Sequence, residues 1–144
     1  MEKIKFIKAK DKSDLVRFYP VMKELRPDLS YGDYLNIYEE AHIKDGYQIV
    51  GVESGSHILA VMGYRVLTDF VHGRHLYIDD LVASALHRSK GYGAKLLTYA
   101  EEISRELGCK SLRLCAGIDN EAGQKFYERE GWNLKAVVYK KKLN

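Results

Sequence analysis

The chain has 144 residues, of which 46% are hydrophobic, 30% charged and 11% aromatic, so a disordered chain is excluded and one ordinary domain with a packed core, spanning residues 1–144, is expected. Its 23 Lys+Arg against 20 Asp+Glu leave a net charge of +3, too mild for a nucleic-acid footprint. No apolar run approaches the ~20 residues of a membrane span, and the opening MEKIKFIKAKDK is basic without the apolar centre of a signal sequence, which predicts a cytoplasmic protein with no nucleic-acid or membrane partner.

The opening IKFIKAK sets Ile4 and Phe6 at alternating positions, which predicts a first strand. From about Ser13 the apolar spacing changes to Leu15, Phe18, Tyr19, Met22 and Leu25, the period of an amphipathic helix, with Pro20 predicting a kink or irregular turn inside it. Ser30 can cap a second helix carrying Tyr34, Leu35, Tyr38 and Ala41, which stops at Asp45-Gly46. YQIVGVE, the turn SGS and HILAVMGYRVL read as a hairpin. After a second reversal at VHGR, HLYIDDLVA is apolar on both faces apart from Asp79 and Asp80, which predicts a central strand.

A long helix follows from about Gly91 to Leu107, with Gly108 as its stop. SLRLCAG is a further strand, NEAGQKFYERE a further helix ending at Gly131, and AVVYKKKL a closing strand. The expected order is β-α-α-β-β-β-α-β-α-β, a mixed α/β sheet with helices on both faces. Cys109 and Cys115 fit no disulfide framework or zinc pattern, and His42, His57, His72, His75 and His87 are scattered, so no metal is expected.

The stretch DDLVASALHRSKGYGAKLL joins a strand to a helix through Arg88-Ser89-Lys90-Gly91-Tyr92-Gly93. Free N–H groups and the positive dipole end of a helix suit phosphate, glycines allow close approach, and Arg88 and Lys90 add positive charge. The same glycines also suit tight helix–strand packing. The Walker A ending is missing, and Leu96 stands where a dinucleotide fingerprint would have its third glycine.

The spacing Arg88-x-x-Gly91-x-Gly93 after LVA resembles the acetyl-CoA loop of the GNAT N-acetyltransferases. Asn120-Glu121-Ala122-Gly123-Gln124-Lys125-Phe126-Tyr127, followed by Gly131-Trp132, is similar to a second motif of that family, with Gly123 for its usual alanine and Trp132 for its usual phenylalanine. The resemblance covers Leu76–Trp132 closely and implies a GNAT-like fold and acetyl transfer from acetyl-CoA to a primary amine by direct attack. It implies that the backbone of Leu81, Val82 and Ala83 pairs with the pantetheine arm. Arg88 lies beside a pyrophosphate cradle of Ser89, Lys90, Gly91, Tyr92, Gly93 and Ala94, and Asn120 is a cap and a pantetheine contact. Tyr127 would protonate the departing thiolate, or pack as a plain aromatic beside Phe126.

YIDDLV is also similar to the diamine and polyamine acetyltransferases, where a Glu-Asp pair stands at this spacing, which implies Asp79 as the group assisting amine deprotonation. Neighbours in a regular strand face opposite ways, so only one of Asp79 and Asp80 is expected in the pocket, with Asp80 held by backbone, Arg74 or His75, or binding substrate. The family's acceptor pocket is roofed by the first two helices, which here offer Glu24, Asp28, Tyr31 and Tyr34; Glu24 and Tyr31 are the substrate-binding candidates with Asp80. A small-molecule amine is the favoured acceptor. A protein lysine or N-terminus, or a non-catalytic acyl-CoA sensor, is the alternative, and a homodimer through the closing strand is open to the fold.

Overall fold

A computed structural model describes residues 3–144. The elements are β1 (Lys5–Lys8), α1 (Lys12–Leu25), α2 (Tyr31–Asp45), β2 (Gln48–Ser54), β3 (His57–Asp69), β4 (Gly73–Ala83), a 3₁₀ turn (Ala85–His87), α3 (Tyr92–Glu106), β5 (Ser111–Leu114) and α4 (Glu121–Arg129). They fall into two compact units, one ending at Arg113 and the other running Leu114–Asn144.

The strands form one sheet in the order β1-β2-β3-β4-β5, so β3, not β4, is the middle strand. β1 to β4 pair antiparallel in succession. β5 runs along β4 in the same direction: Lys110 N donates to Arg74 O at 2.8 Å, and Arg113 lies over the Tyr77 ring. That parallel step is made possible by the crossover helix α3.

Two helices press on the first unit's sheet from opposite sides. Spacings of three and four put Leu15, Phe18, Val21 and Met22 on one stripe of α1, and they pack with Tyr34, Ile49, Val61 and Val82. Phe18 is fully buried, worth about 2–3 kcal/mol. On the other side Leu96, Leu97 and Ala100 of α3 are buried, and Tyr99 stacks on Phe6 with ring centroids 4.5 Å apart.

The helix ends follow local chemistry. Asp11 caps α1 by accepting from Asp14 N, Ser30 caps α2 by accepting from Asp33 N, and Gly46 closes α2 at φ 68°. α1 runs through the exposed Pro20 to Leu25, so the irregular turn expected there is absent. The expected closing strand is also absent. Residues 132–144 carry no regular element, and Leu134, Val137, Val138, Tyr139 and Leu143 are exposed. Alternation alone does not make a strand, which needs a partner for its backbone groups.

Candidate active site

A cavity of about 730 Å³ opens between α1, α2 and the sheet. Its apolar wall is Met22, Leu25, Leu29, Ile37, Ala41 and Ile49, with the rings of Tyr34, Tyr38 and Tyr47. Four carboxylates line it, Asp28, Asp45, Asp79 and Asp80, against two guanidiniums, Arg26 and Arg65.

Both central aspartates reach this cavity, correcting the expectation that only one could. Across the β3–β4 ladder Gly63 pairs with Asp80 and Tyr64 with Ile78, leaving Asp79 without an opposite number. Such a bulge sets two residues against one and interrupts the alternation of side chains, so neighbours in the chain turn to one side. Asp79 is held bidentately by Arg65, Nε to Oδ2 and Nη2 to Oδ1, each at 2.9 Å. Asp80 accepts from Arg26 Nη2 at 2.9 Å and from Tyr47 Oη at 2.6 Å; Arg74 and His75 take no part.

Burial pushes the Asp79 carboxyl above the usual carboxylate range, the Arg65 pair only partly offsetting it. The Tyr47 phenol is pushed well up by burial and then by Asp80, so it stays a donor. Arg65 is raised by its bond to Asp79 and stays charged. Tyr34 closes the roof by donating to Leu15 O at 2.7 Å.

Glu24 lies outside the cavity. Its Oε1 accepts from Ala85 N at 2.7 Å and stands 3.5 Å from Arg88 Nη2, which ties the last turn of α1 to the 3₁₀ turn. Tyr31 is exposed and meets Tyr19 edge-on at 5.4 Å, away from the cavity wall. Glu24 falls off the side of α1 that Met22 and Leu25 turn to the cavity, whereas Tyr31 shares the face of Tyr34 and Tyr38 but sits in the first turn of α2, short of the cavity.

The mouth of α3 is the second feature. Leu81, Val82 and Ala83 pair through Met62, Val61 and Ala60 with β3 on one side. Gly91 precedes α3 at φ 84° and supplies no side-chain cap, whereas Asp11, Ser30 and Asn120 cap the other three helices. Ser89 is at φ 64°, the one positive value outside glycine among the described residues. The N–H groups of Gly93 and Ala94 lie in the first turn of the helix, which begins at Tyr92. Tyr92 is buried, while Ser89 and Lys90 are exposed. Arg88 turns back, its Nε 3.3 Å from Ala83 O.

In the second unit Asn120 caps α4 by accepting from Gly123 N at 3.0 Å. Tyr127 is half-buried, with Phe126 at 5.2 Å and Trp132 at 6.1 Å between ring centroids, and burial raises its phenol.

The family model described as Acetyltransferase (GNAT) family matches residues 13–132. The chain belongs to this family. A relative, the uncharacterized N-acetyltransferase YhdJ of Bacillus subtilis (strain 168), is 32% identical over 131 residues, covering 90% of this chain and 92% of its own. The thialysine N-epsilon-acetyltransferase of Bos taurus is 24% identical over 151 residues, covering 88% of each. Among solved structures, the aminoglycoside N-acetyltransferase AAC(6')-Iy in complex with CoA superposes with a TM-score of 0.85 at 16% identity, over 99% of this chain and 96% of that one. This GNAT protein is therefore an acyl-CoA-dependent N-acetyltransferase, with the mixed α/β fold expected of it.

Three residues that line this acetyltransferase's cavity escape a reading of its sequence, Arg26, Arg65 and Tyr47, and so does Gly63 beneath Tyr47. A Cβ on Gly63 would meet the Tyr47 hydroxyl and stand 2.7 Å from Asp80 Oδ2, so the Tyr47–Asp80 bond needs a bare backbone beneath it. Arg65 could have been sought as the β3 partner of an acid on β4; the others come together only through tertiary packing.

Proposed function

We propose that the chain transfers the acetyl group of acetyl-CoA to the primary amine of a small molecule seated in the cavity between α1, α2 and the sheet. The observation that carries this reading is the cavity's charge: four carboxylates against two guanidiniums in a space of about 730 Å³. The volume falls in the ~300–1,000 Å³ range of small-molecule pockets. The two excess negative charges attract an ammonium, and the tyrosine rings accommodate its apolar body.

The mouth of α3 takes the pyrophosphate. Ser89 to Ala94 offer backbone donors there with the dipole of a 15-residue helix behind them. Lys90 adds charge, and Arg88 adds its own once it leaves Glu24. Leu81, Val82 and Ala83 offer the pantetheine arm a strand edge, and Asn120 joins its cap to a contact with that arm.

The incoming amine must lose a proton before its lone pair can form a bond to the thioester carbonyl carbon. Asp79 assists this step. Its bidentate pair with Arg65 uses one lone pair on each oxygen and leaves another on each to accept from a water that relays the proton. The carboxyl's raised pKa makes it a better base than an exposed aspartate. Asp80, oriented by Arg26 and Tyr47, holds the ammonium before transfer. As the C–S bond breaks, Tyr127 gives its proton to the thiolate. Burial keeps that phenol protonated at neutral pH, so what it supplies is a positioned proton and not strong acidity.

The test is thiol release from acetyl-CoA with polyamines, amino acids, aminoglycosides and a lysine peptide as acceptors. One class of small amine should support turnover, and Tyr127→Phe should lower kcat by about 100-fold with acetyl-CoA affinity unchanged. Turnover with the peptide alone, or saturable acetyl-CoA binding without turnover, would overturn the small-amine reading; parallel loss of affinity and turnover in Tyr127→Phe would make the tyrosine structural.

A further inference from the structure

At the reversal between β3 and β4, three groups with metal-ligating chemistry converge. Asp69 ends β3, His72 sits in the turn and His75 opens β4, and one ligand atom from each lies within 4.8 Å of the others. His72 Nδ1 donates to Asp69 Oδ1 at 3.0 Å, a proton that a metal held by this nitrogen releases to solvent, and His75 Nε2 is 3.9 Å from Asp69 Oδ2. The turn itself holds the carboxylate in place, because His72 N donates to Asp69 Oδ1 at 2.7 Å.

His75 is the informative member. It is fully buried, and its Nδ1 lies 3.0 Å from Gly73 O. A backbone carbonyl can only accept, so Nδ1 carries the proton and Nε2, 3.9 Å from Asp69 Oδ2, carries the lone pair. An imidazole whose far nitrogen is fixed by a carbonyl is the arrangement that orients histidines on metals. That lone pair now faces Arg113 Nη1 at 3.4 Å, a long contact, while the same guanidinium lies over the Tyr77 ring at 5.5 Å. A cation entering here displaces the first contact and leaves the second.

We infer that Asp69, His72 and His75 form a site for a divalent transition-metal ion, zinc by preference, with its fourth position open to water. Two imidazoles and one carboxylate suit zinc and its neighbours and disfavour calcium or magnesium. Ligand–metal bonds of ~2.0–2.2 Å place the donors about 3.4 Å apart in a tetrahedron, so the His72–Asp69 pair opens slightly from 3.0 Å and the His75–Asp69 pair closes from 3.9 Å. Asp69 and His72 are partly exposed, which gives the ion a way in. The site lies four residues along β3 from Arg65, about 13 Å at strand rise, so it is separate from the acetyl-transfer cavity. Its effect is to clamp the β3–β4 reversal.

The test is calorimetric titration of the untagged, metal-stripped chain with zinc chloride, with cobalt(II) absorption to report geometry. Wild type should bind one zinc with a dissociation constant on the order of micromolar, melt higher with zinc present, and give intense visible bands with cobalt. His72→Ala, at a partly exposed turn position, should bind at least about 10-fold more weakly and lose the thermal shift. His57→Ala should leave both unchanged. Absence of one-to-one binding below millimolar zinc, or His72→Ala binding as tightly as wild type, overturns the site. Neither result depends on acetyl transfer.

Discussion

At the mouth of α3 the groups on offer are backbone: the N–H groups of the helix's first turn, preceded by a glycine where the other helices have a capping side chain. In the cavity under α1 and α2 they are side chains from four separate segments, Arg26, Tyr47, Arg65 and the Asp79-Asp80 pair, which hold one another by hydrogen bonds. The first arrangement is specified by a few consecutive residues and suits an invariant ligand group. The second is specified by packing, and each member depends on the rest.

The largest expected effect is at the mouth. Gly91 stands at φ 84°, and a Cβ there would meet nothing within 4 Å, so a substitution acts through strain and not collision. Gly91→Val should distort the loop at about 1–2 kcal/mol and weaken acetyl-CoA about 100-fold, the worth of one or two charge-assisted hydrogen bonds. Direct binding measurements showing normal affinity would remove the mouth from the cofactor site.

Gly63→Ala sharpens the contrast from the other side. Its Cβ displaces Tyr47 from Asp80 and leaves a partly buried acid short of a donor, costing about 1–3 kcal/mol of stability. The amine KM should rise roughly 10-fold while acetyl-CoA affinity holds; a fall in both would mean the two regions are one cooperative structure.

The smallest effect is one of pH. Because burial raises the folded Asp79 carboxyl, its contribution to stability is fully present below the unfolded value near ~4 and is lost as pH rises through the folded value. Asp79→Asn stays neutral, so its stability relative to wild type should climb as pH rises through that window. Urea midpoints for both proteins check this, and a difference that stays flat or shrinks with pH would count against the desolvated carboxyl.

Local signals in the sequence were good guides. Ser30, Gly46, Gly91 and Gly108 sit at or beside helix ends because caps and stops are chosen by near neighbours. The family motifs pointed to the mouth of α3 for a related reason, its groups being consecutive. The acceptor side was legible only as an acid pair and some tyrosines. Glu24 lies outside the cavity because it is off the side of α1 shared by Met22 and Leu25, and Tyr31 because it stands at the start of α2 beside Tyr19. Arg65 and Tyr47 were missed because a bulge and a hairpin, not spacing, bring them to Asp79 and Asp80. The β strand expected over AVVYKKKL failed for want of a partner strand.

The unpaired Asp79 has one more consequence. Before it, the even-numbered Leu76 and Ile78 are buried outside the cluster that α1 builds, with Ile78 opposite Tyr64, the neighbour of Tyr99 on α3; after it, the even-numbered Val82 belongs to the α1 cluster. The strand thus suffers a half-period phase slip and greases both sides of the sheet in turn, which is why HLYIDDLVA reads as apolar on both faces. Deleting the single residue Asp79 would leave the ladder in register, with Asp80 still opposite Gly63 and Val82 still opposite Val61, so both sides of the sheet would keep their apolar residues and only the Arg65-bound carboxylate would go.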